Sequence, residues 1–309
     1  MTPRGRTTVS GLLRRIWSRY RTPITVVFLI AAVGWGVWAV WSQWDAFVKG
    51  VGEIGLGRVV ASGLVTAAGV VATAVAWWFW LSALGARLPL AAAVRLVLVT
   101  QTGKYIPGGV WPYLAQAAVG RAYGVAPVIF PVATMLWVLC HLVTGATLGG
   151  LAVMAAGYPV WGALIAVGGL AGVLLLGLPA VVQRVGRGRF QFTRGATAKA
   201  WAGHALIVVA WVCYGFGITL LVQGVGTELS LARGTGAFAA AWVAGFLVIP
   251  APAGAGVREA VLMLLFDLPS GQALAVVLVS RILTVFADLG LAGLAGLLIP
   301  GPAPAREQT

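Results

Sequence analysis

Apolar residues run in long blocks along this chain, separated by short polar segments, and the block lengths carry the first information. A helix needs about 20 apolar residues to cross the hydrocarbon core of a bilayer. Six blocks reach that length: 23–44, 58–84, 127–156, 158–183, 201–224 and 271–299. Two further apolar stretches are interrupted. Residues 90–120 contain Lys104-Tyr105-Ile106-Pro107-Gly108-Gly109-Val110-Trp111-Pro112, and residues 235–267 contain Ile249-Pro250-Ala251-Pro252-Ala253-Gly254-Ala255-Gly256. Proline removes an amide donor and glycine weakens a helix, so each stretch is expected to form a helix, a turn and a second short helix.

Ahead of the first block, Leu12, Leu13, Ile16, Trp17 and Tyr20 recur at helical spacing while Arg14, Arg15 and Arg19 fall elsewhere on the turn. Residues 1–22 therefore read as a basic interfacial helix resting on anionic headgroups. The first block continues past Trp35, Trp38, Trp41 and Trp44 without a small-residue cleavage site, and is expected to be a retained span.

Composition agrees with a membrane solvent. Hydrophobic residues make up 60% of the 309 and charged ones only 9%, too few polar groups to cover a globule in water, where about 25% charged is usual. Disorder, collagen, coiled coil and disulfide scaffolds are excluded by the same balance. Cys140 and Cys213 lie in apolar runs and read as small buried hydrophobes.

The net charge of +14 is confined to segments between apolar blocks, so it reports topology, and no nucleic-acid partner is expected. The N-terminal arginines, Arg87, Arg121, the basic loop 184–199 and the tail 301–309 all fall on one side if both broken stretches are re-entrant hairpins. By the positive-inside tendency that side is cytoplasmic. The other side then holds Asp45, Lys49, Glu53, Arg58, Glu228, Arg233 and Asp267, a nearly neutral set. Three spans separate the hairpins, so they enter from opposite faces, and 90–156 and 235–299 become inverted repeat units within one polytopic domain, 23–300. The fold class expected is an all-α integral membrane protein of about six spans and two re-entrant broken helices.

Ionisable residues inside apolar segments are expensive and face a cavity or a partner. Here they are Lys104 before the first break, Arg258 and Glu259 after the second, and Arg281 and Asp288 seven residues apart on one face of the last span, with Arg95 on the first limb. Two readings are open. In one, Arg258 pairs with Glu259 or Asp288, and Arg281 with Asp288, as structural ion pairs. In the other, three cations facing two carboxylates hold an anionic ligand, helped by the N-termini of the short helices. Tyr105, Pro107, Gly108, Gly109, Trp111, Pro252, Gly254 and Gly256 join the candidate binding residues, since small residues let a ligand approach the backbone. His141 and His204 read as packing residues, and Gly145, Gly149, Gly168 and Gly172 as helix contacts. No metal spacing, nucleophile elbow or phosphate loop occurs, so neither an enzyme nor a cofactor is expected.

The string Gly103-Lys104-Tyr105-Ile106-Pro107-Gly108-Gly109-Val110-Trp111, with Arg121 and Gly124-Val125 following, resembles the first signature of the lysylphosphatidylglycerol synthase transmembrane-region family. Pro252-Ala253-Gly254-Ala255-Gly256-Val257-Arg258-Glu259-Ala260 is similar to the second, with Ala253 where the family favours glycine. Some members join a soluble domain that makes an aminoacylated phospholipid to a membrane domain that moves it. This chain ends at Thr309 without such a domain, so the resemblance implies the translocation half only, or a related lipid-carrier role.

The reading reached is a plasma-membrane flippase for a phosphate-bearing lipid of aminoacyl-phosphatidylglycerol, phosphatidylglycerol or polyprenyl-phosphate type. No ATPase motif is present, which leaves a gradient, the membrane potential or consumption of the lipid to drive it. The alternatives are a small-solute transporter, a scaffold for lipid or cell-envelope enzymes recruited through 184–199, and an intramembrane transferase with Glu259 or Asp288 as base. Homo-oligomerisation and a lipid-synthesising partner enzyme are left open.

Overall fold

The computed structural model describes residues 41, 44–105, 115–116, 123–185, 191–248, 254, 256–266 and 268–300. Within them the chain is helical without strands: α1 (Trp44–Ile54), α2 (Leu56–Ala83), α3 (Leu90–Gln101), α4 (Ile129–Ala155), α5 (Pro159–Leu176), α6 (Pro179–Val185), α7 (Ala196–Gly224), α8 (Leu231–Leu247), α9 (Val257–Leu265) and α10 (Ser270–Leu298). A 3-10 turn, Thr102–Tyr105, extends α3.

Among the described residues five helices, α2, α4, α5, α7 and α10, are long and apolar enough to span a bilayer. They coincide with five of the six expected blocks. The sixth, 23–44, lies almost wholly outside the described residues, as do the basic segment 1–22, Arg121, Asp267 and the tail. The first broken stretch leaves the α-helix at Gln101, ahead of its proline–glycine cluster 106–114, which lies outside the described residues together with most of the second limb; the second stretch ends one helix at Leu247 and resumes at Val257. Their limbs are short: α3 has 12 residues, α8 has 17 and α9 has 9, each below the length of a full crossing.

Two boundaries differ from the expectation. The block 158–183 is not one helix: α5 ends at Leu176 and Pro179 opens α6, because proline cannot extend a helix but suits its first turn. The loop 184–199 is narrower than its charge pattern suggests, since α6 continues to Val185 and Gly195, at φ 75°, releases α7 at Ala196. Helix α1 is an addition, in a stretch the block pattern leaves as a connection.

Helix α2 lies along α7, α4 along α5, and α8 packs on both α4 and α7; α10 touches α1, α2 and α3, and α9 joins α8 to α10. At one end of the bundle Gln272 donates to Glu53 (2.8 Å) and to the Val225 carbonyl (3.4 Å). At the other, the Thr193 amide donates to the Ala83 carbonyl (2.9 Å) and Lys199 Nζ to that of Ser82 (3.0 Å). The basic loop and the acid-base mixture around Glu53 thus occupy opposite ends. Helix α3 starts at the Thr193 end, a few residues after Ala83, and α8 starts at the Val225 end. Helix α10 starts beside Val225 too, at the end where α8 began.

Glycine sets the closeness of this packing, since apolar helices in lipid associate through close backbone contact. A Cβ at Gly150 would stand 2.5 Å from the Ala166 amide nitrogen, one at Gly169 2.5 Å from that of Thr147, and one at Gly149 2.8 Å from Ala240 Cα. Gly145 and Gly172 likewise abut neighbouring side chains, Trp211 and Val143. Gly168, expected to be a contact, has nothing within 4 Å; one residue further round the turn, Gly169 makes it instead. Gly150→Leu is therefore expected to destabilise the bundle by about 1–3 kcal/mol through overpacking, and Gly168→Leu to leave it nearly unchanged. Thermal unfolding in detergent, followed by tryptophan fluorescence, checks the pair.

Candidate functional site

A cavity of about 370 Å³ lies where the two broken segments meet the bundle. From the expected site residues it gathers Lys104, Gly254, Arg258, Arg281 and Asp288 into one wall. Helix α10 presents Arg281, Thr284 and Asp288 at i, i+3 and i+7, on one face and within about 6 Å of the helix midpoint along the axis.

Both broken segments are pinned to that face. Lys104 Nζ, on the turn after α3, sits 2.7 Å from Asp288 Oδ2. Glu259 Oε1, in the first turn of α9, sits 3.6 Å from Arg281 Nε. Glu259 is buried behind Arg281 and does not itself line the cavity; its Oε2 has no hydrogen-bond partner among the described residues. The structure shows two pairs that the sequence reading did not name, Asp288 with Lys104 and Glu259 with Arg281.

Arg258 is placed by small residues and an aromatic ring. Its guanidinium lies over Trp242, 5.4 Å from the ring centroid. A Cβ on Gly245 would come within 2.6 Å of Arg258 Cγ, and one on Gly254 within 2.8 Å of its Nε. Gly254 and Gly256 also adopt φ of 72° and 83°, a region glycine enters without strain. Gly256, the residue that opens α9, has no side chain of its own to cap the first amides, so this helix start, with Arg258 in its first turn, borders the cavity as a partial positive pole.

Tyr105 belongs to the 3-10 turn beside Lys104. Pro107, Gly108, Gly109, Trp111 and Pro252 lie outside the described residues. The structure adds residues the sequence did not single out: Thr73, Gln101, Thr102, Trp137, Tyr214, Trp242 and Thr284. His141, read as a packing residue, is both packed and part of the cavity wall. Its ring lies against Trp137, Trp211 and Trp242, at 4.5, 5.9 and 5.5 Å between centroids, and Nδ1 donates to the Trp137 carbonyl (2.8 Å). Trp137 with His141, and Trp242 with Phe246, follow i, i+4 spacing, a signal of a shared face that sequence alone does not distinguish from ordinary core. His204, by contrast, is wedged between Trp80 and Trp201 away from the cavity.

Behind the wall, threonines serve the tryptophans. Trp211 Nε1 donates to Thr144 (3.0 Å), and Trp77 Nε1 to Thr134 (2.8 Å), which in turn donates to buried Gln116 of the first broken segment. Among the described residues no group of His, Cys, Asp and Glu is placed to hold a metal ion.

The family model for the lysylphosphatidylglycerol synthase transmembrane region matches residues 13–292. The chain belongs to that family. Both signature strings on which the resemblance rested lie inside the match, as does every residue of the cavity wall. No curated protein matches the chain. As a member of this family it is a multi-pass membrane protein.

The Glu259–Arg281 pair is expected to be coupled. Arg281→Met should cost about 3 kcal/mol by leaving a buried carboxylate without its partner, and adding Glu259→Gln should restore most of that loss. A double-mutant cycle on detergent stability measures it.

Proposed function

We propose that this chain moves a phosphate-bearing lipid between the leaflets of the plasma membrane, holding the headgroup in the cavity while the hydrocarbon chains stay in the bilayer. The observation that carries this is the meeting of Lys104, Arg258 and Arg281, from both broken segments and the last span, around one cavity. Three cations against Asp288 and Glu259 favour an anion, and the start of α9, opened by a glycine, adds to that field. Phe246 and Val248, at the end of α8, line the cavity and are exposed, which suits contact with an apolar chain there.

In this reading the broken segments are re-entrant. Support comes from the start of α10 beside Val225, at the end where α8 enters, and from the start of α3 at the opposite end. The two segments then approach the cavity from opposite faces as an inverted repeat, an arrangement suited to alternating access. The Thr193–Lys199 end, carrying the basic loop, is cytoplasmic by the positive-inside tendency, which puts the C-terminal tail on that side.

Each of Lys104→Ala and Arg258→Ala is expected to slow headgroup movement about tenfold or more, the loss of one charge-assisted contact, without preventing insertion. The assay is transbilayer movement of headgroup-labelled lipid in proteoliposomes. Wild-type rates from the double variant would remove both residues from the mechanism.

A further inference from the structure

We infer that residues 23–40 form a helix lying antiparallel along the exposed face of α10, the face turned away from Arg281 and Asp288, so that α10 is held between the cavity and the first span of its own chain. The inference goes beyond the translocation reading and does not depend on it.

Helix α1 marks the seat. Glu53 accepts from Gln272 (2.8 Å), and about one turn earlier Gly50 is buried so closely that a Cβ there would stand 3.0 Å from Ala275 Cβ. A step back along α1 is thus a step forward along α10, and the two run antiparallel. At about 100° per residue, Gln272 and Ala275 share their face of α10 with Ile282, Phe286, Gly290, Gly293 and Leu297. Beyond α1 this face is open. Phe286 is 70% exposed and Leu297 85%, and a Cβ on Gly290 or Gly293 would meet no atom of the described residues within 4 Å. Arg281, Thr284 and Asp288 point the other way, into the cavity.

The chain leading into α1 fits that strip. Trp41 is helical, and it falls on the side of the turn opposite Gly50, where its 81% exposure agrees with one helix running through both. Traced back at the same period, the face of Gly50 passes through Ala39, Gly36 and Ala32. Since both helices rise equally per residue, the pairs Glu53 with Gln272 and Gly50 with Ala275 set Ala39 level with Phe286, Gly36 with Leu289 and Ala32 with Gly293. Bulk on α10 then meets small residues on the first span, and Ala32 meets glycine. Close backbone approach of this kind is what joins apolar helices in lipid, whereas a glycine facing only lipid weakens its helix and gains no contact. Length agrees as well. Residue 27 comes level with Leu298, the last residue of α10, which leaves Arg14, Arg15, Arg19 and Arg21 at the end of the bundle that carries Thr193 and Lys199.

The test is oxidative cross-linking in native membranes of the full chain carrying Cys140→Ala and Cys213→Ala, with linked peptides read by mass spectrometry. Ala39→Cys with Phe286→Cys, and Ala32→Cys with Gly293→Cys, are expected to form intramolecular disulfides at least about tenfold above Trp38→Cys with Phe286→Cys, which shares the depth but faces away. Gly50→Cys with Ala275→Cys calibrates the oxidation. Neither pair rising above the Trp38 control, while the calibrating pair closes, overturns the inference and leaves the face to lipid. Phe286→Cys alone linking two chains as readily assigns the face to a second copy and overturns it equally. Should the cysteine variants fail to insert, a photoactivatable benzophenone in place of Phe286 in the otherwise unaltered chain is expected to label residues 36–40; adducts on lipid alone, or on another copy, overturn the proposal.

Discussion

The molecule depends on one helix face that carries opposite charges two turns apart. Arg281 and Asp288 are near the middle of α10, where an ionised side chain facing lipid costs about 2.5–3.5 kcal/mol on insertion scales. Each is offset by a partner from a broken segment, Lys104 for Asp288 and Glu259 for Arg281. The pairing works in both directions. It lets α10 carry charge at that depth, and it gives two short helices, which could not be stable alone in a membrane, a fixed place to end. A helix of 9 residues such as α9 has little intrinsic stability; the ion pair, and the clasp of Gly245 and Gly254 around Arg258, hold it in register.

Around this charged face the rest of the packing excludes alternatives. Glycines bring α4 onto α5 and α8, so that aromatic side chains of α4, α7 and α8 converge on the cavity from behind. Two of the buried indole nitrogens, those of Trp77 and Trp211, are satisfied by threonines. Thr144 accepts from Trp211 and passes its own proton to the Cys140 carbonyl, so neither hydroxyl nor indole is left unpaired. That matters because unpaired polar groups in a low-dielectric interior are costly. The cavity thus has an aromatic side built from α4, α7 and α8, and a charged side built from the turn after α3, the start of α9 and the middle of α10.

Much of this was legible in the amino-acid order. Span length is imposed by the bilayer, so apolar blocks located α2, α4, α7 and α10 to within a few residues, and proline and glycine located the break between α8 and α9. The rarity of charge inside apolar segments was enough to single out Lys104, Arg258, Glu259, Arg281 and Asp288. Which acid meets which base was not legible, because adjacency of Arg258 and Glu259 in sequence says nothing about directions on a short helix: successive residues diverge by about 100°, and Glu259 turns to Arg281 while Arg258 turns to Trp242. The aromatic wall was hidden for another reason. In a chain with 14 tryptophans, position on a helix does not separate a cavity face from a lipid face, and only the packing of α4 against α7 and α8 makes that distinction.

An anion site that also contains carboxylates looks self-defeating until release is considered. Three unopposed cations in a low-dielectric cavity would repel one another when empty and hold a phosphate too tightly when full. With Asp288 against Lys104 and Glu259 against Arg281, the empty cavity keeps its cations in place at small cost, and a bound headgroup competes with carboxylates that stay within reach. A translocation site has to capture its guest on one side and lose it on the other, the same requirement that keeps binding weak in conducting channels. In the proposed function the acids then belong to the site as much as the bases do.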